Sequence, residues 1–219
     1  MEKPFLIREA FTFGFQKVRE HSGLLFSVVI TIAAIQILSG MGANMYKGHP
    51  LLGHFLQVFA TIVNVVIGIG ATRISLLLAK GEGARYADLI PSWEVFWKYI
   101  VSNFFAGFLI VLGLILFIVP GFYLMFRYFF VRYVAIDERL SPPDALRRSA
   151  ALTRGIKWQL LVFLLAVVGL NIIGLLLFVV GLIVTVPVSM IATAHVYRLL
   201  VTRNAITPGA PVSVPAQTL

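Results

Sequence analysis

The longest uninterrupted apolar stretch sets the terms for this chain. From Gln159 to Tyr197, 39 residues pass without an acid, a lysine or an arginine. A helix needs about 20 mostly apolar residues to cross about 30 Å of hydrocarbon. The stretch is therefore long enough for two spans, with a tight turn near Val180-Gly181. Four further runs obey the same rule: Gly23 to Met41, Leu51 to Ala79, Trp97 to Val119 and Phe122 to Ile136. Pro120-Gly121 supplies a turn signal between the last two. The pattern predicts an all-α polytopic membrane protein with six transmembrane helices arranged as three hairpins. A single six-span domain would cover residues 1–205. Residues 206–219 hold Pro208, Pro211 and Pro215 without a charge, and are expected to form a disordered tail.

Composition points the same way. Of 219 residues, 59% are hydrophobic and 12% charged, against about 25% charged in a soluble domain. A water-soluble globule of this length has no way to hide so much apolar surface. Cysteine is absent, which excludes disulfides, thiolate metal sites and cysteine nucleophiles.

Eighteen Lys and Arg stand against nine Asp and Glu, a net charge of +9. In a soluble protein that excess would suggest nucleic acid. Here the spans give it another meaning. Seventeen of the basic residues fall on or near the side that carries both termini, and only Lys47 falls on the other. Cytoplasmic loops collect Lys and Arg, so both termini are expected to be cytoplasmic and nucleic acid is not expected as a partner. No A-x-A-like cleavage site follows the first apolar run, so it is expected to remain as a span.

A short interfacial amphipathic helix is expected before each hairpin. In the first, Ile7, Phe11, Phe15 and Val18 share a face. The second, Asp88 to Tyr99, carries Trp93 and Trp97 and is interrupted by Pro91. In the third, Ser141 is an N-cap candidate, Pro142 opens the helix and Gly155 closes it. Ala145, Ser149, Leu152 and Thr153 fall on one face there, and Arg147, Arg148 and Arg154 on the other. A shift of 61 residues superposes Trp97 on Trp158, Gly113 on Gly174 and Val119 on Val180. That match fits either a repeated hairpin or chance in Leu/Val/Gly-rich sequence.

Ile118-Val119-Pro120-Gly121, Val134-Ala135-Ile136-Asp137, Asp144-Ala145-Leu146-Arg147-Arg148-Ser149 and Leu152-Thr153-Arg154-Gly155 before Trp158 together resemble a family of bacterial inner-membrane proteins. It includes the membrane domain attached to some glycerophosphodiester phosphodiesterases and uncharacterised stand-alone relatives. The resemblance spans about residues 5–203 and implies a six-helix membrane domain without established chemistry. These residues leave no stretch for the soluble phosphodiesterase barrel, so that activity is not expected to carry over.

Catalytic patterns are missing. All nine acids lie outside the expected spans, which disfavours an intramembrane carboxylate pair. His21, His49, His54 and His195 show no metal-ligand spacing, and no cofactor is expected. Ser189 and His195 share a span but fall on different faces. Polar residues within the spans are the better clue, because each costs free energy in hydrocarbon. Arg127 lies seven residues past Pro120, about 10 Å below the outer boundary by helical rise. Asn64, Asn103 and Asn171, with Gln36, are candidates to join it in an interhelical polar site. Such a site serves either as structural glue or as a pathway or headgroup site. The Arg147, Arg148 and Arg154 face is a candidate for anionic lipid headgroups or for a protein partner. The functional expectation is a non-enzymatic inner-membrane protein that handles lipid or amphiphile, or scaffolds envelope maintenance. The alternative is a small transporter with a polar cavity around Arg127.

Overall fold

The computed structural model describes residues 5–44, 50–177 and 180–206. The expected tail beyond Ile206, and Lys47, lie outside the described residues. Among those described, the chain is all-helical. In order, α1 spans Ile7–Glu20, α2 Ser22–Asn44, α3 Pro50–Lys80, α4 Trp93–Leu116 and α5 Ile118–Arg127. Then come α6 Val131–Asp137, α7 Pro142–Leu152, α8 Lys157–Leu176 and α9 Val180–Ile206. A 3-10 turn, Tyr86–Leu89, connects α3 to α4.

Four of these helices are long and apolar enough to cross a membrane: Leu51–Lys80, Trp93–Leu116, Lys157–Leu176 and Gly181–Asn204. The α1–α2 pair bends by 95° and makes a fifth candidate when taken as one broken span. The expected span Phe122–Ile136 is not one helix. It breaks at Tyr128–Phe130 into α5 and α6. At the break the Tyr128 N–H donates to Leu124 O, while the Val131 N–H donates only three residues back, to Tyr128 O. The expected turn at Pro120-Gly121 moves as well. Phe117 is the extended residue between α4 and α5 (φ −159°, ψ 142°), and Pro120 sits in the first turn of α5. That position tolerates proline because first-turn N–H groups have no intrahelical acceptor.

The segments expected as amphipathic helices differ from one another. α7 is a separate helix with Ala145, Ser149 and Leu152 buried; Thr153 caps it, and Gly155 follows in the turn at φ +79°. α1 is also separate, but it buries Ala10, Gly14 and Val18 and leaves Phe15 46% exposed. Small residues let α1 lie close on α9, which a count of large apolar side chains does not anticipate. The middle segment is not a separate helix: Trp93 to Tyr99 is the first part of α4.

Along the chain α2 packs on α3, α4 on α5 and α8 on α9. Glycines close the last two pairs. A methyl group on Gly181 would stand 2.7 Å from Gly174 Cα, and one on Gly113 would stand 3.2 Å from Gly121 Cα. Gly113 and Gly174, the residues that the 61-residue shift superposes, thus each face a glycine of the helix that follows.

Burial divides the bundle into two ends. In the second half of α3, Ile69 and Leu76 pack with α6, α7 and α9 around Phe130, Tyr133, Leu152 and Tyr197, while Ala71, Ile74 and Leu78 pack in a second cluster with Val18, Leu25, Leu89 and Ile191. The first half of α3 exposes Leu51, Phe55, Val58 and Ile62. Much of α4 and α8 is equally bare, as at Phe104, Phe108, Ile115, Leu165, Ile172 and Leu176. Contiguous apolar surface on this scale marks contact with a membrane or a partner.

The packed end is tight enough to forbid a methyl group. A Cβ on Gly70 would overlap the Leu89 backbone, whereas one on Gly68, two residues away, would meet nothing. Gly70→Ala is expected to cost about 1–3 kcal/mol, the usual penalty of overpacking. Gly68→Ala is expected to be neutral or to gain about 0.5–1 kcal/mol through helix propensity. Thermal unfolding of the two purified variants in detergent checks the contrast.

Candidate functional site

The most densely charged place in the bundle lies at its packed end. α6 is a buried helix, with Val131, Tyr133, Val134, Ala135 and Ile136 all in the core. Its last residue is Asp137, and Glu138 follows as the C-cap. The apolar face of α6 thus drags two adjacent carboxylates to the edge of the core. Removing a carboxylate from water is costly unless cations and donors replace the lost hydration.

Three helices supply that replacement. Lys80, the last residue of α3, pairs its ammonium with Asp137 Oδ1. Arg198 of α9 reaches Asp137 Oδ2 at 3.7 Å. Arg148 of α7 directs Nε at both Glu138 oxygens, each at 3.1 Å. The Tyr197 hydroxyl, on α9, donates to Asp137 Oδ2 at 3.3 Å and to Glu138 Oε1 at 3.2 Å. The Asp137 side chain is only 7% exposed and Arg148 only 12%. Tyr133 stacks on Tyr197 with ring centroids 5.7 Å apart, fixing the phenol that bridges the carboxylates. Just beyond, Arg139 adopts φ +48°, a left-handed conformation unfavourable for a residue with a Cβ. Lys98 of α4 donates to its carbonyl at 2.6 Å and so holds the strained residue in place.

The chemistry of the cluster is that of a fastener. Both carboxylates face cations. Among the described residues, no group of three or more His, Cys, Asp or Glu is arranged to hold a metal ion.

The hydrogen bonds of the residues singled out in the sequence run mainly within their own helices. Asn64 and Asn103 each donate to the carbonyl four residues back in their own helices, Ala60 and Tyr99. Asn171 does the same to Val167 and also donates to Ser189 Oγ on α9 at 2.9 Å. Gln36 is exposed. Among the described residues no hydrogen bond joins any of them to Arg127. Arg127 instead closes α5, and its carbonyl accepts from the Ser149 and Thr153 hydroxyls of the α7 segment at 3.1 and 3.2 Å. The arginines of α7 separate in the same way. Arg147 is 83% exposed beside Asp144, Arg154 is exposed, and Arg148 turns inward to Glu138.

The carboxylate cluster escaped sequence reasoning because its members lie far apart in the chain. The available signal was the apolar run Val134-Ala135-Ile136 delivering Asp137-Glu138, with Lys80 and Arg198 at the ends of other apolar runs.

An open groove of 740 Å³ lies along α1, lined by Leu6, Arg8, Glu9, Phe13 and Gln16 and by His195 of α9. Phe13 and His195 stack within it at 4.0 Å. Comparison with family models, curated proteins and solved structures finds no match to this chain.

Asp137→Asn leaves Lys80 and Arg198 facing a neutral amide. It is expected to cost about 2 kcal/mol or more, as for a buried pair broken on one side with partly exposed partners. Asp144→Asn, at an exposed pair on α7, is expected to cost less than about 0.5 kcal/mol. Melting curves of the two variants under identical detergent conditions provide the comparison.

Proposed function

We propose that this chain is an integral protein of a bacterial inner membrane that works without bond-making chemistry, as a fixed scaffold or amphiphile-handling protein. Both termini and the Asp137 cluster then face the cytoplasm. The observation that carries this is the division of one bundle into a bare apolar end and a packed, ion-paired end. Lipid is the solvent that tolerates exposed Leu51, Phe104 and Leu165, because hydrocarbon takes the place of a protein core. The basic residues gathered toward the packed end agree with a cytoplasmic orientation. The membrane-domain family that the sequence resembles fits the same assignment.

A scaffold is favoured over a transporter by the polar side chains of the long helices. A wet pathway around Arg127 requires neighbouring polar groups to face a shared space. Asn64 and Asn103 return to their own helix backbones, and Asn171 reaches Ser189 across a helix contact.

The absence of cysteine makes single-cysteine labelling free of background. Wild-type protein is expected to stay in the membrane through an alkaline carbonate wash. Ser189→Cys, at a position 7% exposed, is expected to resist a hydrophilic maleimide until the protein is denatured. Glu82→Cys, in the α3–α4 connection, is expected to react only after the cells are permeabilised. Release by carbonate, or labelling of Glu82→Cys in intact cells, would refute the membrane assignment or its orientation. Rapid labelling of folded Ser189→Cys would favour the transporter.

A further inference from the structure

We infer that Arg127, Lys157 and Tyr123 form a binding site for the phosphate of an anionic lipid headgroup, an assignment that rests on the chain being a membrane protein. The Lys157 ammonium lies over the Tyr123 ring, 3.3 Å from its centroid. Arg127 stands one turn beyond Tyr123 on α5, with its guanidinium 5.9 Å from the Tyr128 ring centroid. Two cations thus stand beside the end of α5. Among the described residues neither makes an ion pair, whereas Lys80, Arg148 and Arg198 are all matched to carboxylates.

Arg127 carries the second half of the case. Its Nε is buried and has no hydrogen-bond partner. An unsatisfied donor on a cation is among the most expensive groups to leave bare. An acceptor with several oxygens and a negative charge is its natural complement, and a guanidinium meets phosphate through parallel N–H bonds. The site is also preorganised. The Ser149 and Thr153 hydroxyls fix the Arg127 backbone. Lys157 opens α8, so the first-turn N–H groups of a 20-residue helix add positive potential beside it.

The surroundings select an amphiphile over a free anion. Trp158 is 80% exposed next to Lys157, and Phe122 and Val162 are each 51% exposed nearby in sequence. Tryptophan favours the headgroup level of a bilayer, and the bare apolar side chains offer a place for acyl chains. Phosphate between two cations with hydrocarbon beside it describes a phospholipid such as phosphatidylglycerol.

Native mass spectrometry of the full chain in a non-ionic detergent tests this with added phosphatidylglycerol, phosphatidylcholine or soluble glycerol phosphate. Wild type should retain phosphatidylglycerol in preference to the other two. The double variant Arg127→Gln/Lys157→Gln should lose that retention by about tenfold or more, as expected for charge-assisted hydrogen bonds. Arg147→Gln/Arg154→Gln makes the same change in net charge on α7 and the turn after it, and should retain the lipid. If the first double variant does not fold, Lys157→Gln alone should lower retention severalfold. Equal retention by wild type and the Arg127/Lys157 variants, or equal loss in the two double variants, would overturn the site. Glycerol phosphate binding as well as the lipid would replace it with a soluble-anion site. Any of these results in a chain that resists carbonate extraction leaves the membrane assignment intact, whereas extraction by carbonate undoes that assignment separately.

Discussion

Two adjacent carboxylates at the end of a buried helix, Asp137 and Glu138, decide how the packed half of this protein is arranged. They cannot enter the core edge uncompensated. Lys80, Arg148, Arg198 and Tyr197 compensate them, and those four residues come from α3, α7 and α9. Each partner is useful only in one register of its helix. The ion pairs therefore act less as a large source of net stability than as a specification of which helix ends meet. Removing one partner leaves a charge stranded, so the arrangement is costly to change piecemeal even where the whole set contributes little against an apolar alternative.

The other constraint comes from the bare end. α3 is 31 residues long, about 46 Å at the helical rise, and only its second half is buried by the rest of the protein. The exposed half, with the exposed stretches of α4 and α8, suits contact with a membrane or a partner. The break between α5 and α6 is where the two regimes adjoin. α5 packs on α4 among exposed apolar residues, while α6 is enclosed. Arg127 sits at that break, its carbonyl held by α7. The same break that spoils a straight span places a cation with an unsatisfied N–H at the end of α5, the place proposed for an anionic headgroup.

Much of the helical framework was legible in the sequence because long apolar runs and their charged borders are local. Leu51 to Ala79 and the division of Gln159 to Tyr197 could be placed from length alone. The helix α7 followed from Ser141, Pro142 and Gly155. What could not be read was long-range. Phe122 to Ile136 reads as a continuous span, because nothing local marks Tyr128–Phe130 as a break. α1 reads as presenting Phe11 and Phe15, whereas Ala10 and Gly14 are the residues that allow close approach to α9. The asparagines read as a possible network, yet each had a backbone carbonyl four residues away that a side-chain amide reaches without help from another helix. Arg148 reads as part of a solvated stripe with Arg147 and Arg154, because its partner Glu138 belongs to another helix end.

Asp137 and its cations act as one unit holding α3 to α6 and α9. A double-mutant cycle on Asp137→Asn and Lys80→Gln, read as unfolding free energy in detergent or nanodiscs, tests it directly. The two losses should fail to add, with the double variant barely less stable than Asp137→Asn alone and a coupling of about 1 kcal/mol or more. Additive losses would mean that Asp137 and Lys80 contribute independently.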